Sequence, residues 1–370
     1  MKTFVFLSSV CLLLLVSCNH STAEKDDNVK SSTHQGNVIR YAKNLKIYDN
    51  GSIVKIEILN KKNDSIIFRT DFHRKKKNET RNSITLPIKN LAVLSATQIG
   101  MLTKLNAYKS INIVPDKKYI YDQHLVRLIN EKKMKSYHSE TGISLEEIVA
   151  SQSKYVLYDD FGNGYPGEEK LKKLNIACIP IADWQEQHPL GKAEWILLYG
   201  YLIGKENEAF TLFQSIEKEY KQLKKIAAKQ KNKPSLISGN LISEIWYAPA
   251  AQSYNAALFA DAGGNYIYSK TSSMQPSIEK SIEEVITENK ETEFWFNPGF
   301  PSKAAILKHA SKTQFLPMLQ NNKVYCYSPN MNLFWEKSAI EPHKVLEDLI
   351  RILHPNALPE GKLHFYHKLN

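Results

Sequence analysis

The chain has 370 residues, 42% of them hydrophobic and 24% charged, enough for two lobes with their own cores, which excludes a disordered, collagenous or mini-protein chain. Lys plus Arg outnumber Asp plus Glu by 49 to 38, but the lysines are spread along the chain and form no single patch, so no nucleic-acid partner is implied. The 4 cysteines, no two of them at metal-ligand spacing, exclude a disulfide framework and zinc or iron-sulfur chemistry.

Lys2 precedes an apolar run from Phe4 to Val16, shorter than the ~20 residues of a membrane-spanning helix. Residues 1–17 read as a signal peptide, and Leu15-Val16-Ser17-Cys18 resembles the lipobox at which bacterial lipoproteins are cleaved and acylated. Cys18 is then the lipidated mature N-terminus, and the polar stretch 18–37 a flexible tether to the membrane. Cys178 and Cys326 lie in apolar strand-like segments and are expected as buried small hydrophobes, not as a disulfide.

Residues 38–90 alternate apolar and polar positions, with a hairpin turn at Asp49-Asn50-Gly51 and a further strand from Ile66 to Arg69. This predicts a small antiparallel β extension. Over 91–205, strands at Leu91–Leu94, Ile111–Val114, Tyr155–Tyr158 and Ala177–Pro180 alternate with helices at Thr97–Leu105, Leu145–Ser151 and Glu168–Leu174. Such alternation predicts a parallel sheet covered by helices. Lys192–Ile203 is apolar nearly all round and predicts a buried helix closed by Gly204. From Glu206 to Lys231 apolar residues recur three and four apart without Gly or Pro, with acids early and bases late. At 1.5 Å per residue such a helix reaches roughly 37 Å, enough to join two lobes.

The alternation resumes over 232–370. Strands are expected at Leu236–Ser238, Ile245–Tyr247, Phe294–Phe296 and Val324–Tyr327, and helices at Ser253–Ala262, Ile282–Ile286, Lys303–His309 and Pro342–Leu353. The expected fold is α/β: two Rossmann-like lobes joined by a single long helix, preceded by the β extension. Between the lobes lies a cleft at the strand ends, where open α/β sheets bind ligands.

Several segments resemble the substrate-binding proteins of ABC importers for iron complexes, haem and cobalamin. They are Leu91-Ala92-Val93-Leu94-Ser95-Ala96-Thr97, Ser144-Leu145-Glu146-Glu147-Ile148, Gly191-Lys192-Ala193-Glu194-Trp195, Asp261-Ala262-Gly263-Gly264-Asn265-Tyr266, Phe294-Trp295-Phe296-Asn297-Pro298-Gly299 and Asn322-Lys323-Val324-Tyr325. His188–Trp195 and Phe365–Leu369 are most similar to the lipoproteins of this family in Bacteroidetes-type bacteria. The resemblance implies a monomeric, non-enzymatic protein of the cell envelope, lipid-anchored and facing the periplasm. It would carry no cofactor, bind an iron chelate (ferric siderophore or haem) or cobalamin, and deliver it to an ABC permease and its ATPase. It also implies one acidic docking residue per lobe, and these fall on Glu146 and Glu283, with Glu147 and Glu284 as their neighbours.

A flat or apolar chelate needs aromatic walls with a few polar groups among them. Candidates at strand ends are Ser95, Thr97, Gln98, Asp160 and Phe161 in the first lobe, and Trp246, Tyr247, Tyr254, Asn297 and Trp335 in the second. Tyr137, His138 and Tyr254 are candidate haem-iron ligands. Two stretches depart from the family, Ser328–Glu336 and Pro249–Tyr254, and both are expected as loops facing the cleft. A surface lipoprotein that captures ligand without a transporter is the alternative. A glycosyltransferase-like enzyme is weaker: Gly162-Asn163-Gly164-Tyr165-Pro166-Gly167 reads as a surface turn more readily than as a phosphate loop, neither a Gly-x-Ser-x-Gly nor a His-Glu-x-x-His motif occurs, and Asp159-Asp160 reads as a solvated turn.

Overall fold

A computed structural model describes residues 36–60, 63–75, 84–138, 142–242, 244–271, 273, 275–327 and 330–370. The expected signal peptide, Cys18 and nearly all of the tether lie outside these residues. The extension contains β1 (Leu45–Asp49), β2 (Ile53–Leu59), β3 (Ile66–His73) and β4 (Ile84–Thr85), in sheet order β1-β2-β3-β4. Its first turn closes as the sequence implies: Gly51 adopts a φ of 87° and its N–H donates to Asp49 Oδ1 at 2.8 Å.

The first lobe follows with β5 (Leu91–Val93), α1 (Ala96–Lys104), β6 (Ile111–Val114), α2 (Gln123–Asn130), β7 (Lys135–Ser136), α3 (Leu145–Ala150), β8 (Tyr155–Asp159), α4 (Glu168–Lys173) and β9 (Ala177–Ile181). Its sheet is parallel throughout, in the order β7-β6-β5-β8-β9. The buried run expected as one helix is two: α5 (Pro189–Glu194) and α6 (Ile196–Ile203), which meet at Trp195. Pro189, at the first helical position, starts α5 earlier than the apolar run suggests. Every residue of α6 is buried, and Gly204 at φ 72° ends it.

The bridge is α7 (Glu206–Ala228), 23 residues or about 35 Å. It is fastened at both ends. Arg74 pairs with Glu206 at 2.9 Å and Arg40 with Glu217 at 2.6 Å on the side of the extension. Towards its C-terminus Tyr220 donates to Asp261 at 2.7 Å and Lys224 pairs with the same carboxylate at 2.6 Å.

The second lobe contains β10 (Ser235–Ser238), β11 (Asn240–Ile242), β12 (Ile245–Pro249), α8 (Tyr254–Asp261), β13 (Asn265–Tyr266), β14 (Ser277–Ser281), α9 (Ile282–Glu288), β15 (Phe294–Phe296), α10 (Lys303–His309), α11 (Pro317–Gln320), β16 (Val324–Cys326), α12 (Met331–Lys337), α13 (Pro342–Leu353) and β17 (His367–Lys368). Its main sheet runs β13-β10-β15-β16-β17, parallel except for the last pair, with a separate antiparallel sheet β11-β12-β14. Cys178 on β9 and Cys326 on β16 are buried and not joined in a disulfide.

Candidate functional site

The carboxyl ends of β5 and β8 carry the first-lobe candidates. Ser95 caps α1, accepting from Gln98 N at 3.4 Å, and its hydroxyl lies 3.4 Å from Asp159 Oδ1. Gln98 is fully buried: its amide donates to Asp159 Oδ1 at 2.8 Å and its Oε1 accepts from Leu94 N at 3.0 Å. Gln98 therefore holds a carboxylate in place and offers no surface to a ligand. Asp160 is also buried, its Oδ1 accepting from Gly162 N at 3.2 Å and Gly164 N at 3.1 Å, so it shapes the following turn. Of the pair Asp159-Asp160, expected as solvated, Asp160 is thus buried and Asp159 half-buried. That turn presents Phe161, 72% exposed, against Trp184, 39% exposed, with ring centroids 5.2 Å apart. Trp184 is anchored by its indole N–H to Asp160 O at 3.1 Å. The sequence reasoning passed over Trp184, although it follows β9 as Phe161 follows β8.

In the second lobe Trp246 is fully buried against Trp295, ring centroids 5.0 Å apart, which corrects its expected place in a cleft wall: it is core. Tyr247, its neighbour on β12, is half-buried. Tyr254 opens α8, with Lys192 Nζ 5.5 Å from its ring centroid and its hydroxyl buried without a partner. Asn297 follows β15 at a φ of 59°, and its amide lies 3.3 Å from Tyr366 OH. Of the haem-ligand candidates, Tyr137 donates to Leu94 O at 3.3 Å and His138 Nδ1 lies 2.7 Å from Asp116, so the structure ties both to the first lobe.

Trp335, 49% exposed, does not stand on a loop. It lies on α12, which reaches across to the first lobe. Thr97 donates to Trp335 O at 3.3 Å, and Asn332 donates to Lys118 O at 2.7 Å. Buried Glu336 accepts from Tyr121 N at 2.8 Å and Asp122 N at 3.1 Å. Lys104 pairs with Glu341 at 2.6 Å just beyond. The two lobes are therefore latched here, helix against helix.

Both expected docking glutamates occupy the same position of the same local motif. Ser144 and Glu147 form a capping box at the start of α3, and Ser281 and Glu284 form one at the start of α9. Glu147 and Glu284 are thereby bound to their own helix ends. Glu146 is exposed and forms no hydrogen bond among the described residues. Glu283 is exposed and pairs with Lys312 at 2.5 Å, which holds its carboxyl below the usual carboxylate range.

The family model for periplasmic binding proteins matches residues 91–330. The chain belongs to the periplasmic binding protein family. A curated relative, an uncharacterized lipoprotein of Methanocaldococcus jannaschii, is 24% identical over 100% of this chain and 97% of its own. Among solved structures, the ABC-type Fe3+-hydroxamate transport protein of Saccharomonospora viridis aligns at a TM-score of 0.54, with 17% identity over 72% of this chain and 94% of the other. The periplasmic heme binding protein HutB of Vibrio cholerae aligns at 0.56, with 12% identity over 72% and 99%. These structures share the two-lobed periplasmic binding protein fold. Among the described residues no helix is long and apolar enough to cross a membrane.

Proposed function

We propose that this chain is the substrate-binding lipoprotein of an ABC importer, capturing an iron chelate, haem or a corrinoid between its lobes and presenting it to a membrane permease. The observation that carries this reading is the presence of two lobes, each built on a mainly parallel sheet, bridged by the single helix α7. The exposed rings of Phe161, Trp184 and Trp335 suit the face of a bulky chelate. What the two structural neighbours are named for, a ferric hydroxamate and haem, supports the substrate class. The lipoprotein relative agrees with acylation at Cys18, and Glu146 and Glu283 supply one exposed acid per lobe for the permease. Closure is a small hinge motion, because α7 is tied to both lobes.

The test is a thermal-shift and tryptophan-quenching screen of the full chain in detergent against haem, cyanocobalamin and a panel of ferric siderophores. A chelate at 100 times its Kd stabilises the fold by about 2.7 kcal/mol, a rise of a few degrees in Tm, and should quench Trp184 or Trp335. A chain whose melting and fluorescence ignore every chelate in the panel is not such a binding protein.

A further inference from the structure

Buried polar side-chain atoms nearly always find hydrogen-bond partners, so a concentration of exceptions marks a place built for something else. Among the described residues 7 such atoms have no partner. Asp183 Oδ2, Tyr199 OH, Tyr254 OH and Asn297 Oδ1 belong to one neighbourhood. Asp183 begins the turn after β9, and its charge is felt at both Tyr199 and Tyr254. Asn297 reaches the same place through Tyr366, which its amide contacts and which in turn senses Tyr254. Asp159 adds a second carboxylate from the end of β8, and Lys192, above the Tyr254 ring, interacts with both acids yet forms no ion pair among the described residues. Asp159, Asp183, Lys192 and Tyr199 come from the first lobe, and Tyr254 and Asn297, both half-buried, from the second.

The charges here favour one kind of guest. Two carboxylates face one ammonium, and of the remaining groups the Asn297 amide oxygen accepts hydrogen bonds while the Tyr199 and Tyr254 hydroxyls can accept or donate. Arginine, whose fork grips carboxylates and other anions in pairs of bonds, is not part of this group among the described residues. Arg40, Arg69, Arg74, Arg127 and Arg351, the arginines among the described residues, all stand on the extension, α2 or α13, away from the strand ends of the two lobe sheets.

The geometry points to a polar recess formed by Asp159, Asp183, Lys192, Tyr199, Tyr254 and Asn297, which selects a metal chelate of neutral or positive charge bearing N–H or O–H donors over polyanionic chelates. This rests on the interlobe reading above and narrows its substrate class. Trihydroxamate siderophores and amide-bearing corrinoids both have this chemistry, whereas haem with its propionates and ferric tricatecholates do not.

The experiment measures Kd by tryptophan quenching for the full chain in detergent with four probes: ferrioxamine B, cyanocobalamin, haem and ferric enterobactin. At least tenfold tighter binding of ferrioxamine B or cyanocobalamin than of either polyanion is expected, and which of the two binds identifies the source. Asp183→Asn and Tyr254→Phe should each weaken that probe about tenfold, with melting temperatures at neutral pH no lower than the parent. A polyanion that binds as tightly overturns the proposal and leaves the interlobe reading standing. So does an unchanged Kd in both folded variants, since the unpartnered atoms would then serve only a structural water. Failure of all four probes overturns the interlobe reading together with the proposal.

Discussion

Glu194 accepts the backbone N–H groups of Arg40, Tyr41 and Ala42 at 2.9, 2.7 and 2.9 Å, and Glu186 those of Lys43 and Asn44 together with the Trp195 indole. Asp348 does the same for His364, Phe365 and Tyr366. In each, charge-assisted bonds to a distant segment offset the burial of the carboxylate. Asp183 has less of that compensation, a backbone hydrogen bond from Trp184 with Oδ2 left unpartnered. Burial pushes it up to about 6, Lys192 pulls it down, and Asp159 and Glu186 push it further up. Because its folded value lies above the ordinary 3.8, its stabilising contribution is full below that pH and lost as pH rises through about 6. Asp183→Asn removes the loss, so the variant should gain on the parent in Tm as pH rises from about 4 to 7, by about 2–3 kcal/mol at neutral pH. A difference that stays constant across this range would show that Asp183 does not titrate there. The same residues mark how far the site was legible. Strand ends could be read from periodicity, but not side-chain direction. On β12 alternate residues face opposite sides, so Trp246 enters the core while Tyr247 stays half-buried. Gln98 and Asp160 were placed correctly along the chain and turned inward by bonds no spacing reveals.

At the scale of elements, long periodic segments were the readable ones. The strands at Ile111 and Phe294 and the helices at Lys303 and Pro342 fall where the sequence puts them, and α7 ends only shortly before the expected Lys231. Short helices such as α3, α4, α9 and α10 were readable too, but α12 was not. The residues of α12 were expected as a loop because Ser328–Glu336 stands where relatives carry a Gly-rich loop, although Met331, Phe334 and Trp335 are spaced three and four apart as on a helix face. Their helix is instead specified by the other lobe. It lies so close to α1 that a Cβ at Gly100 would sit 1.6 Å from the backbone oxygen of Glu336. Glycine is required there for approach, and no side chain can swing aside to make room. Gly100→Ala should force α1 and α12 apart, losing on the order of 2–3 kcal/mol in urea unfolding, and should accelerate chelate release because the latch between the lobes opens. A Gly100→Ala chain with parental stability and off-rate would mean that the latch contributes nothing in solution.

For the whole molecule, the extension gains a physical role that its sequence did not suggest. Its leading segment is clamped by Glu186 and Glu194, which bracket α5, and its Arg74 and Arg40 hold the first half of α7. The extension therefore ties the first lobe to the first half of the bridge, while Tyr220 and Lys224 tie its second half to Asp261 of the second lobe, so closure has to flex between these two anchored ends. That makes the spacing between α3 and α9 depend on closure, so a permease contacting Glu146 and Glu283 together could distinguish open from closed. A glutamate in a first helical turn also has a plain use, since it favours the helix dipole by about 0.3–1 kcal/mol. The two roles separate in experiment. Glu146→Ala with Glu283→Ala should leave chelate affinity unchanged and lower stability by about 1 kcal/mol at most, yet abolish ATP-driven uptake by the reconstituted importer, while each single change reduces it in part. Lys312→Ala should keep uptake at or above the parent rate, because Lys312 competes with the permease for Glu283. Parental uptake by the double variant would leave these two residues as helix-end charges and nothing more.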